Sequence, residues 1–241
     1  MSIVAPEPPP PPPPPPPPST TPPTFDFVRP LAFVFDDPRW IAKILLGGVF
    51  VLASAFLIGI FFVYGYMARL VRNVIDGVEH PLPEWEDLGE YFAEGLRLFF
   101  VTLLYSLPFA IIAGIFIIPA AMMGSLNEDA MRQWGGGMMS CFMCILFPLG
   151  LALAIWMPGA LIMAVVSRSF SAGFEFSRIW AFIRANIGNY LLAFVIWIIA
   201  RFAASIVGLA ALCIGILFTE FWAMVVGAYA FAQTYRLSTV K

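Results

Sequence analysis

Long apolar runs alternate along this chain with shorter stretches in which polar and apolar residues trade places at helical spacing. The first long run, residues 41–66, reads "IAKILLGGVFVLASAFLIGIFFVYGY" and is long enough for a helix across a hydrocarbon core of roughly 30 Å. Ahead of it, "FDFVRPLAFVFDDPRW" at 25–40 is short and aromatic, as expected of a segment lying at a membrane interface. Asp37 suits a helix cap, Pro38 the first helical position and Trp40 an interfacial anchor. Beyond Tyr66, Leu70, Val71, Val74, Ile75 and Val78 recur on one helical face. Arg69, Arg72, Asn73, Asp76 and Glu79 fill the other, so the helix is predicted to continue amphipathically. Gly77 and the prolines at 81 and 83 should end it, since proline fixes its own φ and restricts the residue before it.

A second amphipathic stretch follows, with Trp85, Leu88, Phe92, Leu96 and Phe99 as its apolar stripe. It leads into a predicted span at 99–124 that contains Pro108 and Pro119. "SLNEDAMRQWGGG" at 125–137 reads as a short polar turn, and 138–166 as a third span with Pro148 and Pro158. Membrane helices tolerate such prolines where neighbours satisfy the freed carbonyls. Residues 169–189 repeat the amphipathic theme through Phe176, Ile179, Trp180, Ile183 and Ile187. The 47 residues from Tyr190 to Arg236 would reach about 70 Å as one helix, so they must fold back. A turn at Gly208–Gly215 gives spans at 190–211 and 216–235. The expectation is an all-α, polytopic membrane helical bundle of about five transmembrane helices with amphipathic interfacial helices.

Composition narrows the class. The chain is 61% hydrophobic and 12% charged, with a mean hydropathy of +0.88, whereas soluble domains carry about 25% charged residues. The formal net charge of −2 brings no basic stripe to neutralise phosphates, so no nucleic-acid partner is indicated. The first 25 residues lack the basic and apolar regions of a signal peptide, which leaves insertion to the first transmembrane helix. Eleven consecutive prolines, Pro8 to Pro18, make residues 1–24 a proline-rich tail, disordered or in polyproline II. Such a rod acts as a stiff tether or docks in an aromatic-lined groove of a partner. Residues 25–40 are then the interfacial segment, 41–236 the helical membrane domain and 237–241 a short C-terminal tail.

With five spans, Arg29, Arg39, Lys43 and Arg132 fall on the N-terminal side. Arg69, Arg72, Arg97, Arg168, Arg178, Arg184, Arg236 and Lys241 fall on the other. The positive-inside rule then places the chain in the cell membrane with its N-terminus outside and its C-terminus cytoplasmic.

"GYMARLVRNVIDGVEHPLPEW" at 65–85, together with "DDPRW", "LLYSLP" at 103–108 and "IGILFTEFWAMVVGAYAFAQTYR" at 214–236, resembles an uncharacterised prokaryotic integral membrane family, domain of unknown function 4013. The resemblance covers about residues 30–237. It rests on Gly65, Arg69, Gly77, Leu82, Pro83, Gly95, Pro108, Gly215, Gln233 and Tyr235. It implies a helical membrane protein with no assigned activity or ligand and supplies no catalytic residues. The polyproline tail and "MMSCFMC" depart from the family pattern.

Candidate chemistry is sparse. Cys141 and Cys144 share a helical face, but Cys213 is remote and the sole histidine, His80, sits in a linker. A structural zinc site normally needs four ligands; small apolar packing is the plainer role. His80 with Glu79, Glu84, Glu86 and Asp87 reads as a solvated loop whose prolines, Pro81 and Pro83, set the angle of the next helix. No catalytic, cofactor-binding or metal residues are assigned, and no cofactor is implied. Arg201 is the most informative charge, because an arginine in the middle of a span faces a bundle interior or a water-filled cavity. Counted from a turn at Gly208–Gly215, Arg201 and Glu220 differ in depth by only about 3 Å, so a polar clasp between them is expected. Gly77, Pro81, Pro83 and Tyr235 complete the set of candidate residues.

The function expected is an integral membrane scaffold or accessory subunit without catalytic activity. Its partners are the lipid bilayer and either other membrane subunits or further copies of itself. The alternative is a small transporter or permease component built on Arg201, Glu220 and the intramembrane prolines. The scheme of span, amphipathic linker and span occurs twice, around 41–124 and 138–211, though the residues match poorly.

Overall fold

The structure, a computed structural model, describes residues 24–126, 128–211 and 214–239. Its eight α-helices are α1 Arg29–Ala32, α2 Trp40–Ala53, α3 Gly59–Ile75, α4 Leu88–Leu126, α5 Glu128–Val166, α6 Phe176–Ala185, α7 Ile187–Ala210 and α8 Gly215–Thr239. Short 3₁₀ turns at Phe33–Asp36, Ser54–Phe56 and Ser171–Phe174 complete the regular structure, with no strand among the described residues. Leu88–Pro119, Ser140–Val166, Ile187–Ala210 and Gly215–Thr239 are long and apolar enough to cross a membrane. A fifth crossing exists only if Arg29–Asp36 and Trp40–Phe56, bent by 108°, count as one. The protein is an all-α polytopic membrane bundle. The polyproline run, Cys213 and the last two residues of the C-terminal tail lie outside the described residues.

The run at 41–66 is not the single helix its hydropathy predicts. α2 ends at Ala53, and Leu57 takes a left-handed φ of 65°. The chain then reverses into α3. A Cβ at Gly59 would lie 2.0 Å from the Phe50 carbonyl oxygen, so the reversal requires glycine at the start of α3. The Phe50 and Phe62 rings then meet at 4.9 Å. Hydropathy cannot signal this break, because every residue around it is apolar or small.

α8 is the central post. Gly47 and Gly48 of α2 receive the rings of Phe221 and Phe218, respectively, where an added Cβ would lie 2.1 Å from either ring. As α2 advances it meets earlier residues of α8, so the two run antiparallel. α3 runs parallel to α8, from Tyr66 beside Phe221 (5.4 Å) to Gly77 beside Arg236. α7 is antiparallel, with Thr234 bonded to the Asn189 carbonyl at one end and Gly208 against Ile216 at the other. The α2–α3 turn and the α7–α8 turn therefore point to the same end. At the opposite end Phe33 packs on Tyr229 at 4.3 Å, which sets the N-terminal segment beside the C-terminal half of α8.

Two other expectations change. The second amphipathic stretch and the span at 99–124 fuse into the 39-residue α4. The polar turn at 125–137 is helical from Glu128 onward, leaving only residue 127 between α4 and α5. In α4 the buried residues are Tyr91, Glu94, Gly95, Leu98 and Val101, while Leu88 and Phe92 of the apolar stripe are exposed. In α6, Ile179, Phe182 and Ile183 are buried, and Phe176 and Trp180 are exposed. Lipid solvates large apolar side chains as well as a protein core does, so Leu88, Phe92, Phe176 and Trp180 lose little by standing outward. α3 keeps its predicted face, with Leu70, Val71 and Val74 buried.

Where α3 crosses α4 the two backbones touch. A Cβ at Gly65 would lie 2.0 Å from the Tyr91 carbonyl oxygen, and one at Gly95 1.6 Å from that of Phe61. Gly65→Ala and Gly95→Ala are each expected to lower the melting temperature in detergent, with a cost at or above the ~1–3 kcal/mol of ordinary overpacking. Gly89→Ala and Gly188→Ala, where an added Cβ meets nothing within 4 Å, should leave it unchanged. Size-exclusion after graded heating reads both outcomes.

Candidate functional site

After α3 the chain turns at Gly77, whose φ of 76° is a glycine conformation. The Val78 N–H closes the helix onto the Asn73 carbonyl at 2.9 Å. The segment then runs back along α3, held by the Asn73 side-chain amide donating to the Pro81 carbonyl at 2.9 Å. Pro81, Leu82 and Pro83 are buried, whereas Glu79, His80, Glu86 and Asp87 are exposed. The expectation of a solvated loop fits those four and fails for the segment between them. Proline has no N–H to leave unsatisfied, so an extended Pro-Leu-Pro stretch can be buried with few orphan donors.

Trp85 is the wedge of this segment. Its ring stacks on Tyr66 at 4.3 Å and on Phe50 at 4.6 Å, and its indole N–H donates to the Lys43 carbonyl at 3.1 Å. Lys43 itself is only 4% exposed. Its ammonium donates to Asp37 at 2.6 Å and to the Leu82 carbonyl at 3.0 Å, and forms an ion pair with Glu84 at 2.7 Å. Arg39 shares Glu84 at 2.8 Å and donates its backbone N–H to Asp37 at 2.8 Å. Tyr91 donates to the Glu84 carbonyl. Arg69 pairs with Glu90 and Arg72 with Glu94, tying α3 to α4. Burial is the largest influence on the Asp37 carboxyl and pushes its pKa up. The hydrogen bonds from Lys43 and the Arg39 N–H, with the charges of Lys43 and His80, outweigh it and hold the pKa below the usual value. An open polar cleft of about 500 Å³ lies over this latch, lined in part by Arg69, Asn73, His80 and Asp87.

Arg201 and Glu220 are joined by a direct ion pair between α7 and α8. The guanidinium also lies 5.8 Å from the Trp197 ring centroid. Trp197 forms one wall of a second cavity, apolar and of about 490 Å³, among α3, α5, α7 and α8, with Met67, Leu161, Met224 and Phe231 as further walls. Gly77, Pro81 and Pro83 gather at the latch. Tyr235 stands apart, its ring 5.6 Å from Phe182. Cys141 and Cys144 are free and exposed. Among the described residues no group of three or more His, Cys, Asp and Glu side chains is placed to hold a metal ion.

The stretch "GYMARLVRNVIDGVEHPLPEW" supplies Tyr66, Asn73, Leu82, Glu84 and Trp85 to the latch, while Asp37, Arg39 and Lys43 come from ahead of it. The model of a family described as "Protein of unknown function (DUF4013)" matches residues 48–214. The chain belongs to the DUF4013 family. No curated protein and no solved structure matches it. The DUF4013 match begins inside α2 and ends at the α7–α8 turn, so "DDPRW" and the C-terminal stretch to Arg236 lie beyond it. In this DUF4013 chain the latch residues Lys43 and Asn73 were not singled out by sequence reasoning, and Asp37 and Trp85 were read there only as a helix cap and as part of an apolar stripe. The available signal was Lys43 itself, one charge three residues into an apolar run.

Lys43→Met leaves Asp37 and Glu84 without their buried counter-charge. It is expected to cost about 3–5 kcal/mol, and Lys43→Met with Asp37→Asn should recover part of it, read by thermal unfolding in detergent. Since the folded pKa of Asp37 is depressed, its contribution is present above about pH 4 and is lost as pH falls through the lower folded value. Replacing Pro81 and Pro83 together by alanine should reduce folded yield more than His80→Ala.

Proposed function

We propose that this protein is an integral membrane scaffold or accessory subunit with no catalytic activity of its own. The observation that carries this reading is what the family-motif residues touch. Tyr66, Arg72, Asn73, Leu82 and Trp85 hold α2, α3 and α4 to one another. Their charges are matched internally, which suits a rigid support for another chain. Partners are other membrane subunits or further copies of this chain, within the lipid bilayer; the Pro8–Pro18 run is suited to a groove in such a partner.

Both ends of the described chain share one face in this reading, in place of the opposite sides expected from the sequence. Phe33 beside Tyr229 and Gly77 beside Arg236 support it. Arg29, Arg178, Arg184 and Arg236 lie toward that end, so the positive-inside rule makes it cytoplasmic. The second reading, a small transporter component, draws on the Arg201–Glu220 pair beside the apolar cavity.

Purification from native membranes in a mild detergent, followed by native mass spectrometry, should return a fixed-stoichiometry complex with a second subunit or copy. Arg201→Leu should lower folded yield in the same preparation. A lone monomer whose reconstituted liposomes pass solute in a manner abolished by Arg201→Leu would favour the transporter instead. Epitope tags at residues 2 and 241 should both be reached only after the membrane is opened from the cytoplasmic side.

A further inference from the structure

The α2–α3 hairpin has one charged end and one bare apolar end. At its base Lys43, Asp37 and Glu84 are paired beside the exposed charges of Glu79, His80, Glu86 and Asp87, so this face meets water. From Ile44 to Ala68 the chain carries no charge. At the tip Phe56, Leu57 and Ile58 are 78%, 66% and 59% exposed. Within the turn the Ser54 hydroxyl donates to the Phe50 carbonyl and the Leu57 N–H to the Ser54 carbonyl, both at 2.9 Å. The 14 residues of α2 and the 3 of the turn that continues it reach about 26 Å, against a hydrocarbon core of roughly 30 Å.

We infer that α2 and α3 form a re-entrant wedge. The hairpin enters and leaves the bilayer by the same face, and its Leu52–Ile58 tip ends among lipid acyl chains. Two features select lipid as the partner: the tip is uncharged and exposed, and the latch holds both ends of the hairpin at the charged face. This inference concerns how the chain sits in the membrane and stands whether or not the protein is a scaffold.

The test uses full-length protein in sealed vesicles of known orientation, with Cys141, Cys144 and Cys213 replaced by alanine. Single cysteines are placed at Pro38, His80, Phe56 and Ile58, and folding of each variant is checked by size-exclusion. An impermeant maleimide should label Pro38→Cys and His80→Cys from the same side. Phe56→Cys and Ile58→Cys should be protected from both sides and become reactive in detergent. Labelling of Pro38→Cys and His80→Cys from opposite sides, or of a tip cysteine from the far side, would overturn the inference. Tip protection that persists in detergent within a dimer-sized peak would overturn it too, by showing that a second copy covers the tip. If one tip variant misfolds, the other decides.

Discussion

An ammonium group removed from water must find a full set of acceptors or lose its charge, and the arrangement around Lys43 follows from that requirement. Its three partners come from two places: Asp37 ahead of α2, and Leu82 and Glu84 from the segment that follows α3. Satisfying one side chain therefore fixes the entry to α2, closes the hairpin and draws the Pro-Leu-Pro segment inward. Trp85 is carried with it into the gap between Phe50 and Tyr66. Desolvation offsets most of the attraction in such a buried pair, so its net stabilisation is small, but the geometry it imposes is exacting. A hydrophobic contact in the same place would hold the hairpin without fixing its register.

Around this latch, packing follows the rules of a protein whose solvent is hydrocarbon. Glycines lie where backbones or aromatic rings press together, at Gly47, Gly48, Gly65 and Gly95. Large side chains such as Ile198, Phe202, Ile111 and Ile115 stand outward. With lipid on the outside, burying them would gain little. Shape and a few paired charges do what apolar burial does in a water-soluble bundle.

That inversion explains what could be read from the sequence and what could not. Fold class and the position of the α7–α8 turn were legible, because length and hydropathy constrain a membrane helix directly. The Arg201–Glu220 contact was also legible, since two helices joined by a short turn have depths fixed by helical rise. Lys43 was not, because two of its three partners arrive from a loop whose course no periodicity describes. The break at Leu57 left no mark either: the left-handed residue is a leucine, and the glycine that permits the reversal comes two positions later. On α4 the stripe residues Leu88 and Phe92 are exposed, as suits an amphipathic helix whose apolar side meets lipid.

The latch also sets an order in time. Lys43 precedes Leu82 by 39 residues, so during synthesis the Leu82 carbonyl and the Glu84 carboxylate do not yet exist when α2 leaves the ribosome. At 5–20 residues per second the wait is about 2–8 s. Through that interval Lys43 has Asp37 alone of its partners, and its other donors are satisfied by staying near water. The first hydrophobic run is then held at the membrane surface until "LPEW" has been made.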